Sequence, residues 1–225
     1  MWKELVNLFK KDNLYEQAFQ EACDMLDTDA SMYDASVEAL RHLDTAEVKL
    51  DIYSADKSIN RSERNVRKKV MTHLAVSGGT DLASGLTLVS VVIDIERIGD
   101  YTKNIYDLAR QHPLRLKGGA LEDRLQTVEA SVTEDFKGMI GVFKTRDEDK
   151  ARVIMNHYKT GLSAACEEIS NAILTGEAAD LNSPDAAALT LYVRFLKRIA
   201  SHSRNIVTSV VNPFHRIGYR EKTQK

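Results

Sequence analysis

Glu96 and Asp100 stand four residues apart. On a helix that spacing puts two carboxylates side by side on one face, with about 5–6 Å between Cβ atoms. Like charges so placed cost roughly 0.2–0.5 kcal/mol unless something neutralises them. A divalent cation bridging the carboxylates would do that. So would Arg97, and three other acidic pairs share the spacing: Asp12/Glu16, Asp34/Glu38 and Glu47/Asp51. Glu96/Asp100 differs from these in directly following Leu86–Ile95, the most apolar run in the chain. A basic run, Arg61, Arg64, Arg67, Lys68 and Lys69, offers either an anion surface or an exposed helix face partly paired with Glu63. The six histidines are scattered, with neither an H-E-x-x-H nor a Glu-x-x-His pair. There is no glycine-rich phosphate loop, and no serine, threonine or cysteine has a recognisable catalytic setting. The residues point to a non-enzymatic protein.

The elements that position these residues read as helices throughout. The 225 residues are 43% hydrophobic and 28% charged with only 3 prolines, a composition that supports a buried core and long helices. A net charge of −2 argues against nucleic acid as the partner. Cys23 and Cys166 lack metal-ligand spacing and read as small core residues in a reducing compartment. No secretory signal opens the chain, and Leu86–Ile95 is about half a membrane span, so the expected location is the cytoplasm. A peripheral position at the inner membrane face stays open.

Spacings of three and four predict a first helix from Leu14 to about His42, kinked near Asp27–Ser31. A second should run from Asp44 to Val76, ended by Gly78–Gly79, and a third from Asp81 to Gln111. Pro113 and Gly118–Gly119 mark a break. Three more helices follow: Leu121–Lys144, Asp147–Thr175 and Ser183–Val211, the last opened by Ser183 as N-cap before Pro184. Trp2, Leu5, Val6 and Phe9 form a short apolar stripe suited to the bundle end, a dimer contact or a membrane or transporter surface.

The two halves repeat. Glu96 to Ile105 aligns with Lys197 to Ile206 at an offset of 101, with Arg, Ile, Asn and Ile identical. A small residue, Gly99 or Ala200, falls at the same place in each, which predicts close approach of a neighbouring helix. Ile59, Val66 and Val70 match Leu162, Ile169 and Ile173 at an offset of 103. The fold class is therefore all-α, two tandem antiparallel three-helix bundles, 1–112 and 113–225.

The string Asp94-Ile-Glu-Arg-Ile-Gly-Asp100, continuing to Asn104-Ile105, resembles the signature of the PhoU family, and Asp56-Lys-Ser-Ile-Asn60 resembles its companion element on the middle helix. The resemblance spans nearly the whole chain in helix order and length. It implies a regulator of phosphate uptake and phosphate-starvation signalling. Its partners would be a phosphate transporter at the membrane and a two-component sensor kinase, and it would act as a homodimer. It also implies iron, zinc or another divalent metal on the acidic motifs, here Glu96, Asp100, Asp56 and Asn60. The second repeat departs from this pattern, with Lys197 and Ser201, and Lys159 and Ser163, at the matching positions. Any metal should therefore be confined to the first repeat, and none at all is the plain alternative. Lys159, Arg194, Lys197 and Arg198 would instead form an anion or partner surface, or simply be solvated charges. A helical-bundle metal oxidase, which needs histidines on several helices, and a ligand-free scaffold are the competing functions.

Overall fold

The structure, a computed structural model, describes residues 11–112 and 114–221. The Trp2–Phe9 stripe and Pro113 lie outside the described residues. Among those described the chain is all-helical: α1 (Lys11–Arg41), α2 (Ile52–Ser77), α3 (Leu82–Gln111), α4 (Glu122–Thr145), α5 (Glu148–His157), α6 (Ser163–Leu174) and α7 (Ser183–Val211). A π-turn, Tyr158–Leu162, joins α5 and α6 into one rod, so the helices amount to six rods. None of the described helices is long and apolar enough to cross a membrane.

Local chemistry sets most of the boundaries. Asp51 caps α2 by accepting from the Ser54 backbone N–H at 3.0 Å, so the helix starts eight residues later than the apolar pattern from Asp44 suggests. Its end at Gly78, with φ of 65°, is the left-handed stop that favours glycine. Asp147 caps α5 on Lys150, and the cap of α7 is Asn182, which accepts from Asp185, rather than Ser183. α1 runs without interruption through Asp27–Ser31, where the sequence suggests a kink. There Thr28 and Ser31 satisfy their hydroxyls on the Asp24 and Asp27 carbonyls within the helix.

α1, α2 and α3 pack together with Leu26, Ile59, Val66, Val92 and Ile95 buried, and α4, the α5–α6 rod and α7 with Leu162, Ile169 and Leu196 buried, while Tyr33 of α1 meets Phe136 of α4 between the trios. Positions 101 residues apart share the same environment. Ile98 and Ile199, Thr102 and Ser203, and Ile105 and Ile206 are all fully buried. The two trios join through their equivalent helices. Asp27 pairs with Lys144 at 2.6 Å, Asp34 with Lys137 at 3.0 Å and Arg41 with Glu129 at 2.7 Å, so α1 and α4 run antiparallel. α3 and α7 do the same, with Asp94 opposite His202 and Tyr101 opposite Phe195. Equivalent helices lying antiparallel is what a two-fold relation between the repeats requires.

Arg41 holds the joint. Its buried guanidinium donates to Glu129, to Glu122 and to the Leu116 carbonyl. Removing one partner of such a buried ionic network strands the others without a counter-charge. Arg41→Met is therefore expected to cost about 3 kcal/mol, read as a fall in Tm of roughly 10 °C. A Tm within 2 °C of wild type would show the network to be dispensable.

Candidate functional site

The acidic site is built where three helices meet. Gly99 of α3 carries no side chain, and the space its Cβ would fill is taken by Asp29 of α1, whose Oδ1 lies 2.8 Å from that position, and by Ile59 of α2. The mid-helix glycine is thus the close approach its spacing predicts. Asp29 is fully buried and neither carboxylate oxygen has a hydrogen-bond partner. Burial, reinforced by the negative charges of Asp56, Glu96 and Asp100, raises its pKa well above the ordinary carboxylate range. The neutral acid is the form this pocket favours.

Around Asp29 lie the residues the sequence singles out. Glu96 is four-fifths buried at its side chain, and burial followed by the Asp100 charge raises its pKa despite the opposing pull of Arg97. Arg97 reaches Glu96 and Asp100 at 3.6 Å each. Lys103 stands 3.6 Å from Asp56. Asn60 points its amide back to the Asp56 carbonyl oxygen at 2.9 Å. Glu63 joins the cluster through its charge on Glu96 while pairing with Arg67 at 2.7 Å. The structure therefore gathers Glu96, Asp100, Asp56 and Asn60 into one region and adds Asp29, Glu63 and Lys103.

As arranged, these side chains do not fit a resident metal cluster. Among the described residues no three His, Cys, Asp or Glu side chains converge as a ligand set. Two cations of the chain already stand against three of the carboxylates. Asp29 is the buried carboxyl beside them without a hydrogen-bond partner, and it would have to release its proton to serve as a ligand.

In the second repeat the four basic residues scatter. Lys197 pairs with Glu167 of α6, Arg198 crosses to the Tyr101 hydroxyl of the first repeat at 3.1 Å, and Arg194 is exposed. Lys159 opens onto a separate cavity with other cations. Asp94, first residue of the signature string, accepts from His202 at 2.7 Å and Asn205 at 3.1 Å, and thus ties the repeats together. His202 also stacks on Tyr101, which makes it a packing residue. The basic run of α2 is mostly an exposed face, with Arg67 held by Glu63 and Lys69 by Glu21.

Asp29 is the residue that sequence reasoning missed, although a signal was present. It occupies the apolar register set by Ala22, Leu26, Tyr33 and Leu40, where a charged side chain has no ordinary reason to be.

Comparison with known proteins agrees with this architecture. Residues 22–109 match the family model described as the PhoU domain. No curated protein matches the chain at the sequence level. Among solved structures, the fold matches that of PhoU from Pseudomonas aeruginosa with a TM-score of 0.74 at 20% identity, covering 90% of this chain and 97% of that one. PhoU from Streptococcus pneumoniae matches with a TM-score of 0.73 at 19% identity, covering 90% and 95%. The first repeat is thus similar to the PhoU domain over residues 22–109, and the chain has the fold of these two PhoU structures.

A carboxyl whose folded pKa is raised stabilises the fold below its unfolded pKa, about 3.9, and loses that contribution as pH rises through the folded value. Asp29→Asn, a neutral near-isostere, should therefore match wild type in urea unfolding at pH 4 and exceed it at pH 8 in the presence of chelator. A variant less stable than wild type at pH 8 would show that Asp29 is held as a stabilising anion.

Proposed function

We propose that this chain regulates phosphate uptake and phosphate-starvation signalling as a non-enzymatic adaptor. In this reading it works as a homodimer in the cytoplasm, between a phosphate transporter at the membrane and a two-component sensor kinase. The observation that supports it most is the PhoU domain match over residues 22–109, extended by the PhoU fold through both repeats. An adaptor needs a stiff body with distinct faces. The six rods supply the body, and the acidic face of the first repeat and the basic face of the second differ in the charge they would show a partner.

The metal belongs to this proposal only in a restricted form. Should a divalent cation enter the first repeat, Glu96, Asp100, Asp56 and Asn60 are the donors. It would have to displace Arg97 and Lys103 from them. At the matching second site Lys159 and Lys197 offer ammonium groups that cannot ligate. Elemental analysis of protein purified without chelator should accordingly find well under one equivalent of iron or zinc. Stoichiometric metal that disappears in Asp100→Lys, with the fold intact, would restore the metal site.

Function itself is tested in the cell. A clean deletion should derepress phosphate uptake or a phosphate-starvation reporter in high phosphate, and Asp94→Ala, which loosens the contact between repeats, should do so in part. Unchanged uptake and reporter activity in the deletion strain would remove the regulatory reading.

A further inference from the structure

The second repeat carries a cavity of about 710 Å³ where the first repeat carries its acidic face. Tyr158, Lys159 and Ser163 from the π-turn and its flanks line one side, Arg204 of α7 another, and Arg220 and Glu221 of the C-terminal segment a third. In the first repeat Lys103 has a counter-charge, Asp56. Arg204 is the residue 101 positions after Lys103, and Lys159 stands 103 positions after Asp56, so the carboxylate that would balance Arg204 has become a second cation. Arg204 lies instead over the Tyr158 ring, 5.5 Å from its centroid. Among the described residues neither Lys159, Arg204 nor Arg220 makes a salt bridge.

The rest of the lining fits the same occupant. Arg152 already holds a planar anion, since its Nε and Nη2 donate to the two Glu221 carboxylate oxygens at 2.9 and 3.0 Å. Glu148 and Asp149 take two more of its donors. Asn156 and the Ser163 hydroxyl add neutral hydrogen-bonding groups to the wall. The π-turn itself, unlike the uninterrupted α2 of the first repeat, is a helix irregularity found often at functional sites. Three unpaired cations gathered in one cavity repel one another unless an anion joins them. Guanidinium and ammonium groups together are the usual donors to phosphate oxygens.

We propose that this cavity is a binding site for a phosphate-class oxyanion, carried free or on a small phosphorylated molecule, with Lys159, Arg204 and Arg220 as its cationic donors and Glu221 as a competing internal carboxylate. The proposal rests on these charges and not on the regulatory reading, which stands or falls on the deletion strain.

The test is calorimetric titration of the full chain at low ionic strength with inorganic phosphate, with ATP, and separately with phosphatidylglycerol vesicles. Saturable binding is expected, weakened at least tenfold in Lys159→Gln and in Arg204→Gln, and tightened several-fold in Glu221→Gln. Arg194→Gln, outside the cavity, should bind like wild type. Arg220→Gln lies outside the helices and carries the same expected weakening if a helix variant fails to fold. Binding to vesicles alone, lost in Lys159→Gln, would identify the oxyanion as a lipid headgroup. No saturable binding of any probe by wild type and Glu221→Gln, or binding indifferent to Lys159→Gln, Arg204→Gln and Arg220→Gln, would overturn the site.

Discussion

A single buried guanidinium, that of Arg41, pins one edge of the joint between the two repeats, whose other edge is the packing of α3 on α7. It closes the last turn of α1, where three donors meet Glu129, Glu122 and the Leu116 carbonyl. Burying a charge costs several kcal/mol unless every donor finds a partner, so the partners cannot move independently. Glu129 also accepts from the buried Tyr192 hydroxyl of α7 at 2.8 Å. Glu122 also accepts from the Gly118 backbone N–H. The connector is drawn in by the same group: Leu116, fully buried, donates its N–H to the Leu40 carbonyl at 2.7 Å. What reads in the sequence as a break between halves is therefore a strap, held at Leu116 and at Glu122 by the last turn of α1.

With the repeats locked antiparallel, α3 and α7 lie side by side and their polar faces become one surface. Asp94 spends its carboxylate on His202 and Asn205, and Tyr101 sits between His202 and Arg198. These contacts leave Glu96 and Asp100 turned toward α2 and Asp29. The acidic site therefore depends on the joint for its geometry. Its electrostatics are set closer in, by a carboxyl that the missing Cβ of Gly99 admits. A neutral Asp29 is a proton held among Asp56, Glu96 and Asp100, and it reduces the repulsion those carboxylates would feel from a fourth charge. Arg97 and Lys103 supply the rest of the neutralisation from outside.

The helices were legible because their signal is periodic and repeated. Ile98 with Ile199 and Ile105 with Ile206 are alike in the chain and alike in burial. The small residue at Gly99 announced close contact, and contact is there. What escaped is what depends on partners distant in the chain. The polar residues Asp27 to Ser31 read as a weak spot in α1, yet Asp27 pairs with Lys144 and Asp29 enters the core, so tertiary contacts override the local pattern. The start of α2 escaped for a different reason: the apolar rhythm continues through Val48 and Leu50, which pack against the core from an irregular segment. Periodicity reports which residues are buried and not whether their backbone is helical. The π-turn leaves no periodic trace either, since it adds a single residue at Tyr158–Leu162.

The same scaffold thus carries two opposite solutions to one electrostatic problem. Where the third helix of a bundle faces its middle helix, the first repeat places carboxylates with two basic residues of its own as counter-charges. The second places cations and pairs only some of them, Lys197 with Glu167 and Arg152 with Glu148, Asp149 and Glu221. A structural ion-pair network tends toward internal balance, as the first repeat nearly does, because unpaired charges add repulsion without compensation. The imbalance of the second repeat has no comparable structural return: Lys159, Arg204 and Arg220 border open space rather than core. Charges that do not stabilise the fold and are grouped in a cavity are best explained by what enters it. The duplicated architecture therefore retains the framework in both halves while, at the matching positions, carboxylates in the first give way to cations in the second.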